Sequence, residues 1–424
     1  MAGGLMQLVA YGAQDVYLTG NPKVTFFQAV YRRHTNFAME NIEQTVNGTA
    51  ASSGRVSVTV ARNGDLVGDM YIELKAKAGI ASATSDVTAD ACWAAERAVK
   101  DVELSIGGQR IDKHYQKWWR LYSELYLDES KKASWGKMTT AVGSQVFLPL
   151  IFFFNRNPGL ALPLIALQYH EVRLDFDLTD EFNIYTDGST FKVWANYIYL
   201  DTEERRRFAQ KGHEYLIEQV QHTGVDSVTI NGGTKQVRLS YNHPVKELVW
   251  CLDSGVARSK LWNFTNQAAV ADIVLESDPT SVAAEIGFIA TSQSGTPLLK
   301  HGTGGTLAAN AFTEENVGTI ENMKLVLNGQ DRMKEQSGKY FNQVQPFNHH
   351  SGSPYPGIYS YSFALKPEEH QPTGTCNFSR IDNAQVSIKT STTGDANAGN
   401  LHMFAVNYNV LRIQSGMGGL AFSN

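Results

Sequence analysis

Cysteine is scarce in this chain, which has only three cysteines among 424 residues. Cys92, Cys251 and Cys376 lie far apart, form no Cys-x-x-Cys pair and are odd in number. This spacing argues against a disulfide framework, which needs pairs, and against a zinc site built on paired cysteines. We therefore predict that the protein is assembled in a reducing compartment.

Membrane-spanning runs and a secretory signal are also missing. The apolar runs at residues 147–154 and 160–167 are shorter than the ~20 residues that a helix needs to cross a bilayer. Pro149, Pro158 and Pro163 would also break such a helix. The N-terminal residues lack a basic segment followed by a long apolar one, so they predict no secretory signal.

An excess of positive charge is absent as well. The net charge of −5 and the isoelectric point near 6.1 give no general attraction to nucleic acid or to an anionic membrane. The dense charge run at residues 201–211 contains Arg205, Arg206 and Arg207, but acidic residues before them offset these charges. We interpret this run as a connector, and we predict no direct binding of nucleic acid.

Residue patterns typical of catalysis are equally rare. Asp175 and Asp177 share one face of a predicted strand, as the paired carboxylates of a glycosidase would. Acidic residues that alternate on a solvent-facing strand are far commoner, so we favour that interpretation. His349 and His350 lie in a loop without further spaced ligands. The sequence predicts no catalytic residue, no cofactor and no metal site, although a carbohydrate-binding or carbohydrate-hydrolysing β-sandwich remains an alternative.

Strand patterns dominate what is present. Many segments alternate between polar and apolar side chains, as a strand with one wet face does. Examples are residues 37–46, 56–61, 66–75 and 170–178. The apolar runs at 147–154 and 160–167 are parted by an Asn/Pro/Gly loop, so they predict two buried strand segments. The best helix is residues 118–127, and its apolar stripe predicts that Trp118 lies in the core.

Several segments occur twice, in the same order, in the two halves of the chain. Residues 102–109 match 323–330, residues 195–200 match 406–411, and residues 42–44 match 217–219. Pro158 and Pro163 are spaced like Pro367 and Pro372. Each match alone is weak, but their shared order indicates one β-domain made twice.

These observations predict an all-β protein of two tandem eight-stranded antiparallel jelly rolls, with an N-terminal arm and a few short helices in loops. We place the arm at residues 1–25, the first jelly roll at 26–211 and the second at 212–424. The weakly patterned residues 253–316 and 390–400 are small and polar, as large surface loops are.

Several long strings resemble the major capsid proteins of large icosahedral DNA viruses, and most closely those of algal viruses of the phycodnavirus type. The strings include MAGGLMQLVAYGAQDVYLTGNPKVTFF, ELSIGGQRIDKHY, FLPLIFFFNRNPGLALPLIALQYHEVRL, QPTGTCNFSRIDNA and NYNVLRIQSGMGGLAF. They extend over nearly the whole chain. The sequence departs from the family pattern at residues 253–316 and 390–400.

The resemblance implies a double jelly roll that forms homotrimers of pseudo-hexagonal outline, because each subunit supplies two similar wedges. Such capsomers tile a virion shell assembled in the host cytoplasm, with minor capsid proteins beneath it and an internal membrane nearby that the chain does not span. The arm would order against the minor proteins. A minor capsid or spike protein of the same fold is the alternative.

The resemblance also directs attention to particular residues. Permanent trimers bury large apolar contacts, and we expect Phe152, Phe153 and Phe154, together with Tyr359, Tyr361 and Phe363, to form a trimer or domain interface. Loops at 253–316 and 390–400 would face outward. Of the three Asn-x-Ser/Thr sites, at Asn47, Asn263 and Asn377, we expect Asn263 to be exposed and to accept a glycan.

Overall fold

The computed structural model describes residues 3–77, 93–139, 145–253, 264, 290–291, 297–298, 318–354, 357–391 and 397–422. The chain separates into two compact units, Met1–Asn36 and Phe37–Asn424. The first unit contains the short helices Gly3–Val9 and Val16–Thr19, neither of which has a buried residue. This unit ends at Asn36, whereas the predicted arm ends at residue 25. Of the predicted loops, residues 254–263, 265–289, 292–296, 299–316 and 392–396 lie outside the described residues.

The second unit begins with a sandwich of two sheets that we call the first roll. Its strands are β1 (Phe37–Gln44), β2 (Val46–Asn47), β3 (Arg55–Thr59), β4 (Leu66–Ala76), β5 (Val99–Ile106), β6 (Gln109–Tyr115), β7 (Gln145–Pro149), β8 (Leu162–Pro163), β9 (Val172–Leu178) and β10 (Thr186–Leu200). One sheet has the order β1-β10-β4-β7, with β8 also on β4. The other has the order β2-β3-β9-β5-β6.

The rest of the chain forms a second sandwich, the second roll. Its strands are β11 (His213–Ile230), β12 (Thr234–Leu239), β13 (Pro244–Asp253), β14 (Ala290–Thr291), β15 (Pro297–Leu298), β16 (Ile320–Leu327), β17 (Gln330–Asp331), β18 (Gln336–Ser337), β19 (Ile358–Ser362), β20 (Cys376–Asn377), β21 (Ala384–Thr390), β22 (Asn397–Gln414) and β23 (Met417–Leu420). One sheet has the order β11-β22-β13-β19, and the other has the order β12-β21-β16-β17.

Short helices fill the connections between strands. The α-helices are Ala94–Ala98, Gln116–Leu125, Glu129–Thr139, Phe153–Arg156, Phe182–Tyr185, Thr202–Gln210 and Gln345–His349; Tyr340–Val344 is a π-helix, and Pro158–Leu160 and Phe378–Arg380 are 3-10 helices. Gln116–Leu125 corresponds to the predicted helix 118–127, but it begins and ends two residues earlier. The predicted connector is the exposed helix Thr202–Gln210.

Both rolls have the same topology, which confirms the predicted all-β fold class. In each, an edge strand (β1 or β11) pairs with the last long strand (β10 or β22), which pairs with a central strand (β4 or β13). That central strand pairs in turn with a short strand (β7 or β19). The repeat also holds locally. The turn Gly107-Gly108 joins β5 to β6, and the turn Asn328-Gly329 joins β16 to β17. All four residues have positive φ, as a tight two-residue hairpin requires.

Sheet register corrects one of the sequence repeats. Residues 195–200 and 406–411 are equivalent, since both lie on the last long strand of their sheet. Glu40 pairs with Tyr197, whereas Glu218 pairs with Tyr408. Glu218 is therefore the counterpart of Glu40, so the match of residues 42–44 with 217–219 is wrong by three residues. A β-bulge recurs beside both sites, on β4 near Gly68 and on β13 near Lys246.

The apolar stretch after β7 also differs from its prediction as two buried strand segments. Phe152, Phe153 and Phe154 are buried, but the chain there leaves the sheet and forms the short helix Phe153–Arg156. Strand β7 ends at Pro149, and the N–H of the next residue, Leu150, makes a last hydrogen bond to the carbonyl of Met70 at 2.9 Å. Of residues 160–167, only Leu162 and Pro163 pair with a strand.

One hydrophobic cluster holds the two rolls together. It fills the first roll and continues into the second through residues such as Ile217, Val249 and Phe404. A further cluster, centred on Trp250 and Phe341, fills the interior of the second roll. The two rolls therefore share buried apolar surface, which is the main stabilising contribution to their association.

Candidate functional site at the junction of the two rolls

The junction begins where strand β6 of the first roll meets β11 of the second. The N–H of Val220 donates to Asp112 Oδ1 at 3.0 Å. The side-chain amide of Gln219 donates to the carbonyl of Ile111. β6 is the last strand of its sheet, and an uncovered edge strand invites pairing with other chains. The second roll covers this edge within the same chain.

A buried ion cluster lies beside this contact. Glu218 accepts from Arg156 Nη2 at 2.7 Å and from Lys246 Nζ at 2.6 Å. Burial alone would raise the pKa of Glu218, but the two cations outweigh it and hold that pKa below its ordinary value. Burial lowers the pKa of Lys246 to about 8. Arg156 belongs to the first roll and its two partners to the second, so the cluster fixes one roll against the other.

An aromatic layer continues the junction. Trp118, on the helix Gln116–Leu125, packs 5.6 Å from Phe404 of β22, measured between ring centroids. Tyr115 lies 4.9 Å from the ring of His222, which itself stacks on Phe404 at 4.6 Å. Burial, together with nearby His402, lowers the pKa of His222 to about 4. His222 is therefore a neutral aromatic partner at neutral pH.

Asp253 lies within hydrogen-bonding distance of two side-chain nitrogens at the end of β13. Its Oδ2 lies 3.1 Å from Lys117 Nζ and 3.1 Å from His402 Nε2. Burial would raise the pKa of Asp253, but these partners lower it to about 2. Lys117 comes from the first roll, so this contact also crosses the junction.

The connections that precede β7 and β19 meet on the other side of the aromatic layer. Lys132 donates to the carbonyl of Ser353 at 2.9 Å, and the N–H of Gly352 donates to the carbonyl of Leu125 at 3.0 Å. Lys132 is buried and pairs with Glu124 at 3.2 Å. A cation held in this way makes the contact between the two connections specific as well as close.

His350 anchors this part of the second roll. Its Nε2 lies 2.9 Å from Glu247 and its Nδ1 lies 3.2 Å from Glu368. Burial would lower the pKa of His350, but the two carboxylates raise it to about 9. His350 is therefore a cation at neutral pH, which compensates the buried charge of Glu247.

A C-terminal hairpin closes the junction at the end where β1 begins and β10 ends. The Nδ1 atom of His170 lies 2.9 Å from the carbonyl of Gly418 on β23. The N–H of Leu420 donates to the side chain of Gln109 at 3.2 Å. Gly418 is required at this contact because a Cβ there would press against Leu167 and Ile106. The second roll therefore contacts the first at several separate places.

The residues predicted to form a trimer or domain interface lie elsewhere. Phe152, Phe153, Phe154 and Tyr359 are each 1% exposed or less in the single chain, and Tyr361 is also buried. A side chain enclosed by its own chain cannot contact another subunit, so the structure corrects that part of the prediction. Phe363 is half-buried, against Tyr361 and Phe378. The helix that begins at Phe153 does reach the second roll, but through Arg156.

The other candidate residues have structural surroundings. Asp175 pairs with Arg173 and Arg55, and Asp177 with Arg55, on the face of one sheet. Trp118 is buried, which confirms its predicted place in the core. Asn263 lies outside the described residues.

Arg205 binds Asp65 through two nitrogens, each 2.9 Å from a carboxylate oxygen. His349 Nδ1 donates to the carbonyl of Leu365 at 3.0 Å, whereas its neighbour His350 lies between Glu247 and Glu368. In the part of the chain that the structure describes, no group of three or more His, Cys, Asp or Glu side chains could hold a metal ion. Over the same residues no helix is long and apolar enough to span a membrane.

Sequence reasoning missed Glu218, Lys246, Glu247 and His350 as junction residues. A signal was present in part, since Lys246 and Glu247 interrupt an otherwise apolar strand and Arg156 stands between two apolar runs. A charge in such a place is buried only with a partner, but no pattern in the sequence says which partner.

Comparison with known proteins defines the class to which this arrangement belongs. Residues 25–201 match the family model of the major capsid protein N-terminus, and residues 204–419 match that of the large eukaryotic DNA virus major capsid protein. The chain therefore belongs to the major capsid protein family of large eukaryotic DNA viruses. It is a structural protein of the viral capsid and not an enzyme.

Particular relatives agree over the whole length. The chain is 44% identical to the major capsid protein of Paramecium bursaria Chlorella virus 1, and the match covers 100% of both chains. It is 41% identical to the major capsid protein of Pyramimonas orientalis virus, again over 100% of both. A solved structure of the PBCV-1 virus capsid matches with a TM-score of 0.77 at 39% identity, covering 94% of this chain and 100% of that chain. The predicted family, fold class and capsid role are confirmed.

Proposed function

We propose that this chain is the major shell subunit and that three copies form a capsomer of pseudo-hexagonal outline. The observation that carries this proposal is the rigid pairing of two rolls of identical topology. Three such chains arranged around a threefold axis present six similar wedges, and closed symmetric rings are the usual form of a homo-oligomer. These capsomers pack against neighbouring capsomers to tile the virion shell.

The mass in solution tests this proposal. One chain has a mass of 46.8 kDa, so light scattering after size-exclusion chromatography should give three times that value. Electron microscopy of the same sample should show a threefold particle with a hexagonal outline. A stable monomer would contradict the proposal. The alternative role as a minor capsid or spike protein of the same fold predicts low abundance in purified virions, which quantitative mass spectrometry measures.

The N-terminal unit has the properties of a segment that binds a partner. Its large apolar side chains are exposed, among them Tyr17, Leu18, Phe26 and Phe27, and Phe27 is 99% exposed. Such a segment lacks a core of its own. The proposed partners are minor capsid proteins beneath the shell, near an internal membrane that the chain does not span. Deletion of residues 1–36, the whole N-terminal unit, should leave the trimer intact and abolish the binding of inner proteins. The proposal places this assembly in the host cytoplasm.

We also propose that Asn263 carries a glycan. Asn263 lies in the long loop 253–316, which an outward-facing surface would expose to modification. Intact-mass spectrometry of virion protein should show a glycan that disappears in Asn263→Gln. An unchanged mass would contradict it.

A further inference from the structure

The two rolls are equivalent strand by strand, but they are not equally covered. β1 of the first roll and β11 of the second occupy the same place, each pairing with the last long strand of its sheet. Through the registers Glu40–Tyr197 and Glu218–Tyr408, Met39 corresponds to Ile217 and Phe37 to Tyr215. The residue types agree along this stretch, since FAMENI matches YLIEQV.

The corresponding positions differ sharply in exposure. Ile217 is 0% exposed, whereas Met39 and Phe37 are each 54% exposed. Glu218 is buried in the ion cluster, whereas Glu40 is exposed and accepts only a long hydrogen bond, 3.2 Å from Tyr199, among the contacts described. Ile217 and Glu218 are buried because the first roll of the same chain lies over β11. Within one chain no second roll of that kind covers β1.

The covering face has its own counterpart in the second roll. In the first roll it consists of Ile111 and Asp112 on β6 and of Arg156 after β7. When the repeat that pairs residues 102–109 with 323–330 is continued by two residues, Ile111 corresponds to Arg332. Arg332 is exposed. The connection after β7 corresponds to the connection after β19, which contains Leu365.

Hydrogen bonds at the recurring β-bulge support the equivalence of Arg156 and Leu365. In the first roll, the side chain of Asn155 donates to the carbonyl of Gly68 at 2.8 Å. In the second roll, the N–H groups of Phe363 and Ala364 donate to the carbonyl of Lys246 at 2.8 and 3.3 Å. The residue that follows is Arg156 in one roll and Leu365 in the other. Leu365 is 74% exposed.

A further aromatic side chain is presented rigidly beside Leu365. Phe347 is 87% exposed. Its helix, Gln345–His349, is held by buried Gln345, which accepts from the N–H of Ser362 at 3.1 Å, and by the contact of His349 with the Leu365 carbonyl at 3.0 Å. A rigid exposed aromatic is typical of an anchor in a protein interface, because its ordering costs little entropy on binding. In the first roll, the corresponding connection supplies Trp118 to the junction.

We propose that β1 of one copy docks on the face formed by Arg332, Phe347 and Leu365 in the second roll of the next copy. This contact repeats, between chains, the junction that joins the two rolls within a chain, and it rests on the proposed trimer. It covers the apolar side chains of Phe37 and Met39. It places Glu40 at Leu365, the counterpart of Arg156, and Arg332, the counterpart of Ile111, supplies a positive charge on the same face. A head-to-tail contact between copies closes into a ring when the rotation between them allows it, and the proposed trimer requires closure after three copies.

A cysteine cross-link tests the contact directly. The pair Glu40→Cys and Leu365→Cys is the interchain counterpart of Glu218 and Arg156, which lie within hydrogen-bonding distance in the chain. Because Arg156 and Glu218 meet through the ends of long side chains, cysteines at the counterpart positions are too far apart for a disulfide. A short bis-maleimide cross-linker, which spans the extra distance, should give covalent dimers and trimers of the purified protein on a denaturing gel. The control pair, Val225→Cys and Leu365→Cys, should stay monomeric, because Val225 is 51% exposed on β11 and lies outside the proposed face. No interchain product from a trimeric sample would overturn the inference.

Charge and apolar variants give an independent measurement. Met39→Asp and Phe347→Asp should each reduce the mass in solution threefold, to that of one chain, while the circular dichroism stays unchanged. The control Val225→Asp should remain trimeric. Glu40→Arg should weaken the trimer, and the double variant Glu40→Arg with Arg332→Glu should restore it. Trimers that persist in both Met39→Asp and Phe347→Asp contradict the inference.

The two proposals fail in different ways. A wild-type protein that is monomeric at all concentrations contradicts the proposed capsomer and this contact together. A wild-type trimer that tolerates the variants and gives no cross-link retains the capsomer and rejects only the contact assigned here.

Discussion

At the scale of single residues, the junction depends on two buried charges, Glu218 and Lys246, and on the partly exposed Arg156. Glu218 lies between Arg156 and Lys246, and all three come from different strands or connections. Taking charges out of water is costly, and mutual attraction offsets the cost only when the geometry is good. Removing one member therefore destabilises more than removing the whole set would.

We expect Glu218→Gln to lower the free energy of unfolding by about 3–5 kcal/mol, because the buried cation Lys246 loses its counter-charge. The control is Glu214→Gln on the same strand, where the exposed pair with Arg412 at 2.8 Å should contribute less than about 1 kcal/mol. Urea-induced unfolding measures both. Equal shifts for the two variants would show that the buried cluster does not stabilise the junction.

The charge of His350 gives the fold a dependence on alkaline pH. The pKa of His350 is raised to about 9, above the ordinary value of 6.5. The folded state therefore holds this proton more tightly than the unfolded state does. The stabilisation is complete below pH 6.5 and is lost as the pH rises through 9. Glu247, Glu368 and the ring of Tyr126 are the groups that face the imidazole.

We expect His350→Gln to lower the thermal midpoint at pH 6 and to have a much smaller effect at pH 10. Lys246 titrates in an overlapping range with the opposite sign, because its pKa is lowered to about 8. The informative quantity is therefore the difference between wild type and variant at each pH, measured by calorimetry. A difference that stays constant from pH 6 to pH 10 contradicts the assignment.

At the scale of elements, tight turns and strand edges position the junction. The turn Gly107-Gly108 illustrates the point, because its two glycines have the same backbone requirement but different surroundings. Both have positive φ, at 58° and 82°. A Cβ on Gly107 would overlap the ring of His170, whereas a Cβ on Gly108 would meet nothing. His170 in turn contacts the C-terminal hairpin.

We expect Gly108→Ala to cost about 1–2 kcal/mol, which is the penalty for a left-handed alanine. Gly107→Ala should cost more and should also release the hairpin, since it displaces His170 from Gly418. Hydrogen exchange of β23 distinguishes the two effects. Faster exchange should occur in Gly107→Ala only, and equal exchange in both variants would refute the contact as the reason.

Elements also show how far sequence patterns reach. The alternation of residues 66–75 predicted strand β4, and the apolar stripe of residues 118–127 predicted a buried helix. The pattern misled at residues 147–154, where an apolar run indicates burial but not conformation. Pro149 ends β7, and the remaining side chains reach the core from a helix and a loop. Burial and strand pairing are separate properties, and hydropathy reports only the first.

At the scale of the whole molecule, the two rolls share one hydrophobic cluster and should unfold together. Phe404 lies in the cluster that spans both rolls, whereas Phe341 lies in the cluster confined to the second. Both side chains are fully buried. Phe404 stabilises the contact between the two rolls, whereas Phe341 stabilises the interior of the second roll.

We expect Phe404→Ala to cost about 3–5 kcal/mol and to split the single calorimetric transition of the wild type into two. Phe341→Ala should have a similar cost, but it should lower the stability of the second roll without affecting its attachment to the first. A single transition in Phe404→Ala would contradict the view that this layer couples the rolls.

The sequence by itself determined the all-β class, the tandem duplication and the resemblance to viral capsid proteins. These properties are written in alternation, in repeated strings and in turn residues, all of which act over short distances along the chain. Only the tertiary structure decided which surfaces meet. It buried Phe152 and Tyr359 within the chain and left Met39 and Phe347 exposed. The strand register showed that Glu218 is equivalent to Glu40. Such outcomes depend on which side chains the fold brings together across hundreds of residues, and periodicity within a segment carries no information about its distant partner.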